Sequence, residues 1–201
     1  MLNKFSAAII GVASFITLST AAQAVTFTTL GSGSTGLIGS TGASGVFEDS
    51  PGAGLGVDGA GKLTFTFLGV EGGFNNQFFS NLNLLFTNHT TLLGATGTQL
   101  VSGPGLLSFA FNSNSDPLTL LANGSGTNSD AAEMIAFQLV NAHEANLFFD
   151  DNYGDKNFTD MSINVKLASV SSVPLPAALP LLAAGLAGIG VLGRKRRKAK
   201  V

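Results

Sequence analysis

Hydrophobic and polar residues alternate with a period of two in three stretches of the chain, 63–67, 107–111 and 163–167. Because this period sends successive side chains to opposite faces, each stretch predicts a β-strand with one buried face. Further strands are predicted at 25–30, 78–86, 133–140 and 146–149. About seven short strands, separated by turns rich in glycine, asparagine, serine and threonine, predict an all-β fold, an antiparallel β-sandwich of the jelly-roll type.

Phenylalanine is expected to supply most of the core of this sandwich, and glycine is concentrated in one segment near the start of the domain. Fourteen of the sixteen phenylalanines follow residue 24, with one tyrosine and no tryptophan. Since most large apolar residues are buried, we interpret the pairs Phe78-Phe79 and Phe148-Phe149 as a core residue beside an edge residue, not as an exposed sugar-binding platform. Segment 31–61 contains eleven glycines and is predicted to be a loop or a very irregular strand.

The amino end has the three parts of a secretory signal peptide. Lys4 supplies the positive charge, residues 7–18 are an apolar run, and Ala22 and Ala24 are small residues at the positions that determine cleavage. The apolar run is well short of the roughly 20 residues that span a membrane, which favours a cleaved signal over an anchor. We therefore predict a signal peptide over 1–24 and an exported domain over 25–172.

The composition changes abruptly at residue 173. The first part of the tail is a short segment formed by Val173, Pro174, Leu175 and Pro176. We expect this segment to be extended and exposed, because proline lacks an amide donor and disfavours helix in the residue before it. Residues 177–193 carry no charge and reach the lower length limit of a transmembrane helix. A basic membrane stop follows, formed by Arg194, Lys195, Arg196, Arg197 and Lys198. Since basic flanks remain cytoplasmic, the tail predicts a span with the domain outside and the carboxyl terminus inside.

These tail residues resemble the PEP-CTERM sorting signal of Gram-negative bacteria, with one difference. In that signal a proline-containing motif, a short membrane helix and an arginine-rich end follow one another, and glutamate usually stands where this chain has Leu175. The resemblance covers about the last thirty residues. It implies processing by an exosortase-type membrane enzyme, and a setting of exopolysaccharide production and biofilm matrix. A permanent single-span anchor is the alternative interpretation of the same tail.

The formal net charge is −2, but the acidic and the basic residues lie in different parts of the chain. Six of the ten basic residues lie in the last eight positions, whereas the domain over 25–172 has twelve acidic residues against three lysines, a formal charge of −9. Because nucleic-acid binding requires a basic surface, nucleic acid is not expected as a partner. Cysteine is absent, so neither disulfides nor thiolate metal sites contribute.

One local cluster of residues has a composition suited to metal binding. Four carboxylates, Asp150, Asp151, Asp155 and Asp160, fall within eleven residues that also contain asparagines and Gly154. Calcium prefers such oxygen ligands, although the spacing is not that of an EF-hand. The alternatives are a calcium site and a solvated acidic turn that limits aggregation at a strand end.

Three functional classes follow, of which a non-enzymatic surface or matrix protein is our first prediction. Its expected partners are the export machinery with signal peptidase, the exosortase-type enzyme, the inner membrane transiently, and extracellular polysaccharide. The second class is a module that binds calcium or polysaccharide. The third is a secreted hydrolase, which is disfavoured because the usual catalytic motifs are missing; it would need His89 or His143 to lie beside carboxylates in a cleft.

Overall fold

The computed structural model describes residues 24–38, 41–71, 73–113, 120–126, 133–151, 158–170 and 185–186. The chain divides into two units, Gln23–Ser171 and a second unit made of Met1–Ala22 and Ser172–Val201. All the strands belong to the first unit. The predicted signal peptide up to residue 23, most of the tail, and Asp155 lie outside the described residues.

Antiparallel β-strands dominate the described residues, which confirms the predicted all-β class. In chain order the strands are β1 (Phe27–Leu30), β2 (Thr35–Ile38), β3 (Ala43–Phe47), β4 (Gly54–Val57), β5 (Gly61–Gly69), β6 (Gln77–Ser80), β7 (Asn83–Thr87), β8 (Thr96–Val101), β9 (Gly105–Leu106), β10 (Phe109–Asn112), β11 (Leu121–Ala122), β12 (Met134–Asn141), β13 (Glu144–Asp150) and β14 (Met161–Ser169). They form a three-stranded sheet (β1-β4-β9), a four-stranded sheet (β11-β10-β6-β7) and a seven-stranded sheet (β2-β3-β12-β13-β14-β5-β8).

The seven-stranded sheet contains two of the three alternating stretches of the sequence, 63–67 in β5 and 163–167 in β14. In β5 the residues Leu63, Phe65 and Phe67 are buried, and they pair in register with Leu167, Val165 and Ile163 of β14. The intervening residues of both strands, such as Thr64 and Lys166, point to the opposite face, as a period of two requires. One face of this sheet is therefore continuously apolar in its centre.

Phenylalanine rings join the sheets into one hydrophobic cluster. Phe78 of the four-stranded sheet lies 5.2 Å from Phe65 of the seven-stranded sheet, measured between ring centroids. Phe111 of the four-stranded sheet stacks on Phe149 of the seven-stranded sheet at 5.0 Å, with an interplanar angle of 4°. Leu55 of the three-stranded sheet is buried in the same cluster. Residues from all three sheets thus share a core.

The glycine-rich segment 31–61 is more regular than predicted, since it contains β2, β3 and β4. Glycine allows these strands to approach their neighbours closely. A Cβ atom on Gly56 would lie 2.8 Å from the carbonyl oxygen of Gly105, and one on Gly45 would lie 2.6 Å from that of Phe137. Of the two predicted alternatives, a loop and a very irregular strand, the loop was wrong for β2, β3 and β4, because these glycines serve close backbone contact and not only turns.

The stretch 78–86, predicted as one strand, is a hairpin formed by β6 and β7. Asn81 and Leu82 at its turn have positive φ angles of 50° and 63°. This is the conformation of a two-residue hairpin turn, which usually contains glycine. Leu82 continues the apolar pattern of this stretch, so the turn could not be predicted from the sequence.

Both rings of the pair Phe148-Phe149 are buried, whereas one of them was expected at an edge. Phe149 belongs to the main core, and Phe148 faces the other side of the seven-stranded sheet in a second, smaller cluster. Phe158 covers this second cluster and lies 5.2 Å from Phe47 between ring centroids. The sheet therefore buries apolar residues on both faces near β12 and β13.

Candidate functional site

Three of the four predicted carboxylates meet where β13 ends and β14 begins. Asp150 is the last residue of β13, Asp151 follows it, and Asp160 immediately precedes β14. Pairing of β13 with β14 brings the two ends together. Asp150, Asp151 and Asp160 are only 0%, 8% and 4% exposed, so these three residues are shielded from solvent. We call these residues the carboxylate cluster; Asp155 lies outside the described residues.

An asparagine far away in the sequence completes the cluster. Asn76, which is fully buried and precedes β6, donates from Nδ2 to Asp151 Oδ2 at 2.7 Å and to the Asp160 carbonyl oxygen at 3.2 Å. The backbone nitrogen of Asp151 donates to Asp160 Oδ2 at 2.9 Å. Asn76 could not be predicted from the sequence, because it lies 75 residues from Asp151 in a stretch of polar residues with no distinguishing pattern.

Electrostatics in this cluster disfavour three full negative charges. The pKa of Asp160 is raised to about 7, mainly by burial and also by the neighbouring charges of Asp151 and Asp150, although the backbone hydrogen bond from Asp151 acts in the opposite direction. A carboxyl group with such a pKa is partly protonated near neutral pH. The cluster therefore attracts positive charge, whether a proton or a cation.

The carboxylate cluster, as it stands, is not a complete metal-binding site. Within the ranges that the structure describes, no three histidine or acidic side chains are placed so that they could hold a metal ion as they stand. One oxygen of Asp151 and one of Asp160 already accept hydrogen bonds from protein nitrogens. An ion would have to turn these side chains and draw further oxygens from the intervening residues 152–157.

Two more buried carboxyl groups, missed by the sequence analysis, lie at strand ends. Glu48 follows β3 and Glu133 precedes β12, and they are 1% and 3% exposed. Burial raises the pKa of Glu48 to about 8, although its Oε2 accepts a 3.0 Å hydrogen bond from the Gly124 nitrogen. Ser113 donates a hydrogen bond to Glu133. Neither glutamate stands in an acidic run, so only the fold identifies them.

The two histidines occupy exposed turns. His89 follows β7, and His143 lies in the turn between β12 and β13. The second of these turns is at the opposite end of β13 from Asp150. The concave arrangement of histidine with carboxylates that a hydrolase would need is not formed between His143 and the carboxylate cluster.

The predicted targeting residues fall almost entirely outside the described ranges. Ala22, the sorting motif Val173 to Pro176 and the basic stop Arg194 to Lys198 are not described, whereas Ala24 is exposed. In the tail, residues 185–186 are helical. No helix among the described residues is long and apolar enough to cross a membrane.

Comparison of the chain with protein-family models, with curated proteins and with solved structures finds no match.

Proposed function

We propose that this chain is an exported, non-catalytic surface or matrix protein whose β domain binds calcium at the carboxylate cluster. The burial of Asp150, Asp151 and Asp160 beside one another carries the calcium part of this proposal. The signal peptide and the tail carry the export part, through the sequence features and the resemblance described above. Its partners are then the export machinery, signal peptidase, an exosortase-type enzyme and, transiently, the inner membrane.

The domain itself we infer to be a β-sandwich. Ring contacts between opposite sheets support this inference, since Phe65 contacts Phe78, and Phe111 contacts Phe149, across the core. Residues of the three-stranded sheet, such as Val57, enter the same cluster. A sandwich has loops at its two ends, and the carboxylate cluster lies at one of them.

A bound calcium ion would offset the free-energy cost of burying carboxylates of like charge beside one another. An ionised carboxylate loses hydration on burial and needs a partner of opposite charge. A bound cation would neutralise the cluster. Calcium suits it because it accepts irregular sets of carboxylate and amide oxygens, which residues 150–160 provide.

Calcium is therefore expected to raise the melting temperature of the purified full-length chain. At a hundredfold excess over Kd, binding adds about 2.7 kcal/mol to the free energy of unfolding. For a domain of this size that corresponds to a shift of about 5–10 °C. Magnesium at equal concentration should give a smaller shift, because it demands octahedral geometry. Calorimetry in calcium, in magnesium and in a chelator measures all three values.

A double variant distinguishes calcium from a proton as the neutralising partner. Asp155→Asn with Asp160→Asn should abolish the calcium shift, while the melting temperature in chelator stays equal or rises because repulsion is relieved. Asp49→Asn is the matched control, since Asp49 accepts a hydrogen bond from the Ser34 nitrogen outside the cluster. If millimolar calcium and chelator give the same melting curve for the unaltered chain, the cluster is neutralised by a proton and the calcium proposal fails.

Sorting predicts a defined mature chain. We expect the extracellular form to begin at Val25 and to end close to Val173, Pro174, Leu175 and Pro176, without Arg194 to Val201. Removal at these points would spare every described strand, because the first begins at Phe27 and the last ends at Ser169. Intact mass spectrometry of the secreted protein checks both ends. Recovery of the secreted chain with residues 200–201 in place would contradict sorting.

A further inference from the structure

A second site, distant in the sequence from the targeting signals, lies on the side of the seven-stranded sheet that faces away from the main core. Here a solvent-open groove has a volume of about 620 Å³. Its floor includes Asn146 and Phe148 of β13 and Ser162 of β14, whose strand neighbours Leu147, Phe149 and Ile163 point into the core. The volume falls in the range of about 300–1,000 Å³ that is usual for small-molecule sites.

Two loops form the walls of this groove. One wall is the segment Gly69–Glu71, which begins at the last residue of β5, and the other includes Thr91 and Leu93 after β7. Thr159 Oγ1 donates to Glu71 Oε2 at 2.8 Å, and the Glu71 nitrogen donates to the Thr159 carbonyl oxygen at 2.9 Å. These two bonds fix the first wall to the start of β14. The groove is thus formed before any ligand arrives.

The chemistry of the lining is mixed and almost uncharged. Amide and hydroxyl groups are supplied by Asn146, Thr91 and Ser162, and apolar surface by Leu93, which is 73% exposed, and by Leu68. None of the described residues that line the groove is basic. Sugars combine hydroxyl groups with apolar C–H faces, and neutral hydrogen-bonding groups beside apolar side chains complement both.

The key amide is held in one orientation. Asn146 Oδ1 accepts a hydrogen bond of 2.9 Å from Asn164 Nδ2, and Asn164 Nδ2 also donates to Glu144 Oε1 at 3.0 Å. Because the oxygen of Asn146 is engaged by Asn164, its Nδ2 group is the end left to donate to a ligand. A donor oriented by its neighbours binds a hydroxyl oxygen with little loss of conformational freedom.

We propose that this groove binds a segment of a neutral polysaccharide. The carboxylate of Glu71 in the wall and the formal charge of −9 over residues 25–172 disfavour anionic polymers, because like charges repel. This proposal rests on the proposed function as a matrix protein and names neutral polysaccharide as the class of ligand that such a protein would bind. It uses other residues than the carboxylate cluster, so the two can fail separately.

Affinity electrophoresis tests the groove directly. The full-length chain is run in native gels that contain neutral glucans, galactans or mannans, or the anionic polysaccharide alginate. The detergent needed for the apolar tail must carry no sugar head group, because such a head group would compete for the groove. We expect retardation by at least one neutral polymer and none by alginate. Gels with calcium and gels with chelator should agree.

Variants locate the binding site. Asn146→Ala and Leu93→Ala should each weaken retardation about tenfold, and Leu93→Ala should do so without loss of stability because this side chain is exposed. Asn83→Ala is the matched control: Asn83 is an exposed asparagine of the four-stranded sheet, bonded only locally to the Asn81 carbonyl oxygen. Melting temperatures of all three variants are measured alongside. Absence of retardation by every neutral polymer, retardation by alginate alone, or equal retardation of Leu93→Ala and the unaltered chain would overturn the proposal.

Discussion

Replacing Phe78 by alanine is expected to lower the free energy of unfolding by about 3–5 kcal/mol. Phe78 is fully buried, and its ring contacts four others at centroid distances of 5.0 to 6.0 Å; they are Phe65, Phe86, Phe109 and Phe111. Removal of the ring therefore takes contacts away from both the seven-stranded and the four-stranded sheet. The loss includes the transfer of the ring to water and the cavity left behind.

Phe74 provides the matched control for this substitution. It has the same side chain four residues earlier, but it is 47% exposed. Phe74→Ala should change the free energy of unfolding by no more than about 0.5–1 kcal/mol. Denaturant unfolding followed by circular dichroism measures both variants. Equal, small losses in the two variants would contradict a core in which Phe78 joins the sheets.

Replacing Asn123 by alanine is expected to lower the free energy of unfolding by about 3 kcal/mol, although a small polar side chain is removed. Asn123 Oδ1 accepts from the Leu55 nitrogen at 2.9 Å. Its Nδ2 donates to the carbonyl oxygens of Leu55 at 2.8 Å and Leu107 at 2.7 Å. The amide thus extends the contact of β4 with its neighbour β9, because it joins Leu55 to the residue that follows β9. Without it, the Leu55 nitrogen loses its partner, and the carbonyl oxygens of Leu55 and Leu107 each lose one of two hydrogen bonds.

Asn123→Asp tests whether the amide nitrogen matters and not only the size of the side chain. Aspartate keeps the shape and one acceptor, but it places a second oxygen against two carbonyl oxygens, so it should be as damaging as alanine. Asn83→Ala should stay within about 0.5 kcal/mol, because Asn83 is exposed. Thermal unfolding ranks the three variants. A tolerated Asn123→Asp would show that the hydrogen bonds of Nδ2 contribute little.

The sequence predicted those parts of the fold in which local pattern and tertiary packing agree. The alternation around Phe65 and Val165 gave strands because every second residue is buried against the core. Prediction failed where the same residue type occurs in two different structural contexts. Glycine in 31–61 indicated turns, but Gly45 and Gly56 serve close strand contact. Leu82 continued an apolar run but occupies a turn with positive φ.

The carboxylate cluster was predicted in part for a similar reason. Asp150, Asp151 and Asp160 are near one another in the sequence, so their convergence follows from a single hairpin. Their burial and the contact with Asn76 arise from the packing of another sheet. The groove at Asn146 is lined by four separate segments of the chain, so no local pattern in the sequence predicts it. Such features depend on contacts between residues far apart in the chain.

The two ends of the described domain lie side by side. The Val25 nitrogen donates a hydrogen bond to Ser169 Oγ at 3.2 Å. The backbone nitrogen and the hydroxyl group of Thr26 both donate to the carboxylate of Asp58. Asp160 lies at the other end of β14, a strand of nine residues, which corresponds to about 30 Å. Whatever is attached before Val25 or after Val170 therefore joins the domain at the end opposite the carboxylate cluster. Cleavage of the chain at either point would therefore break no peptide bond near that cluster.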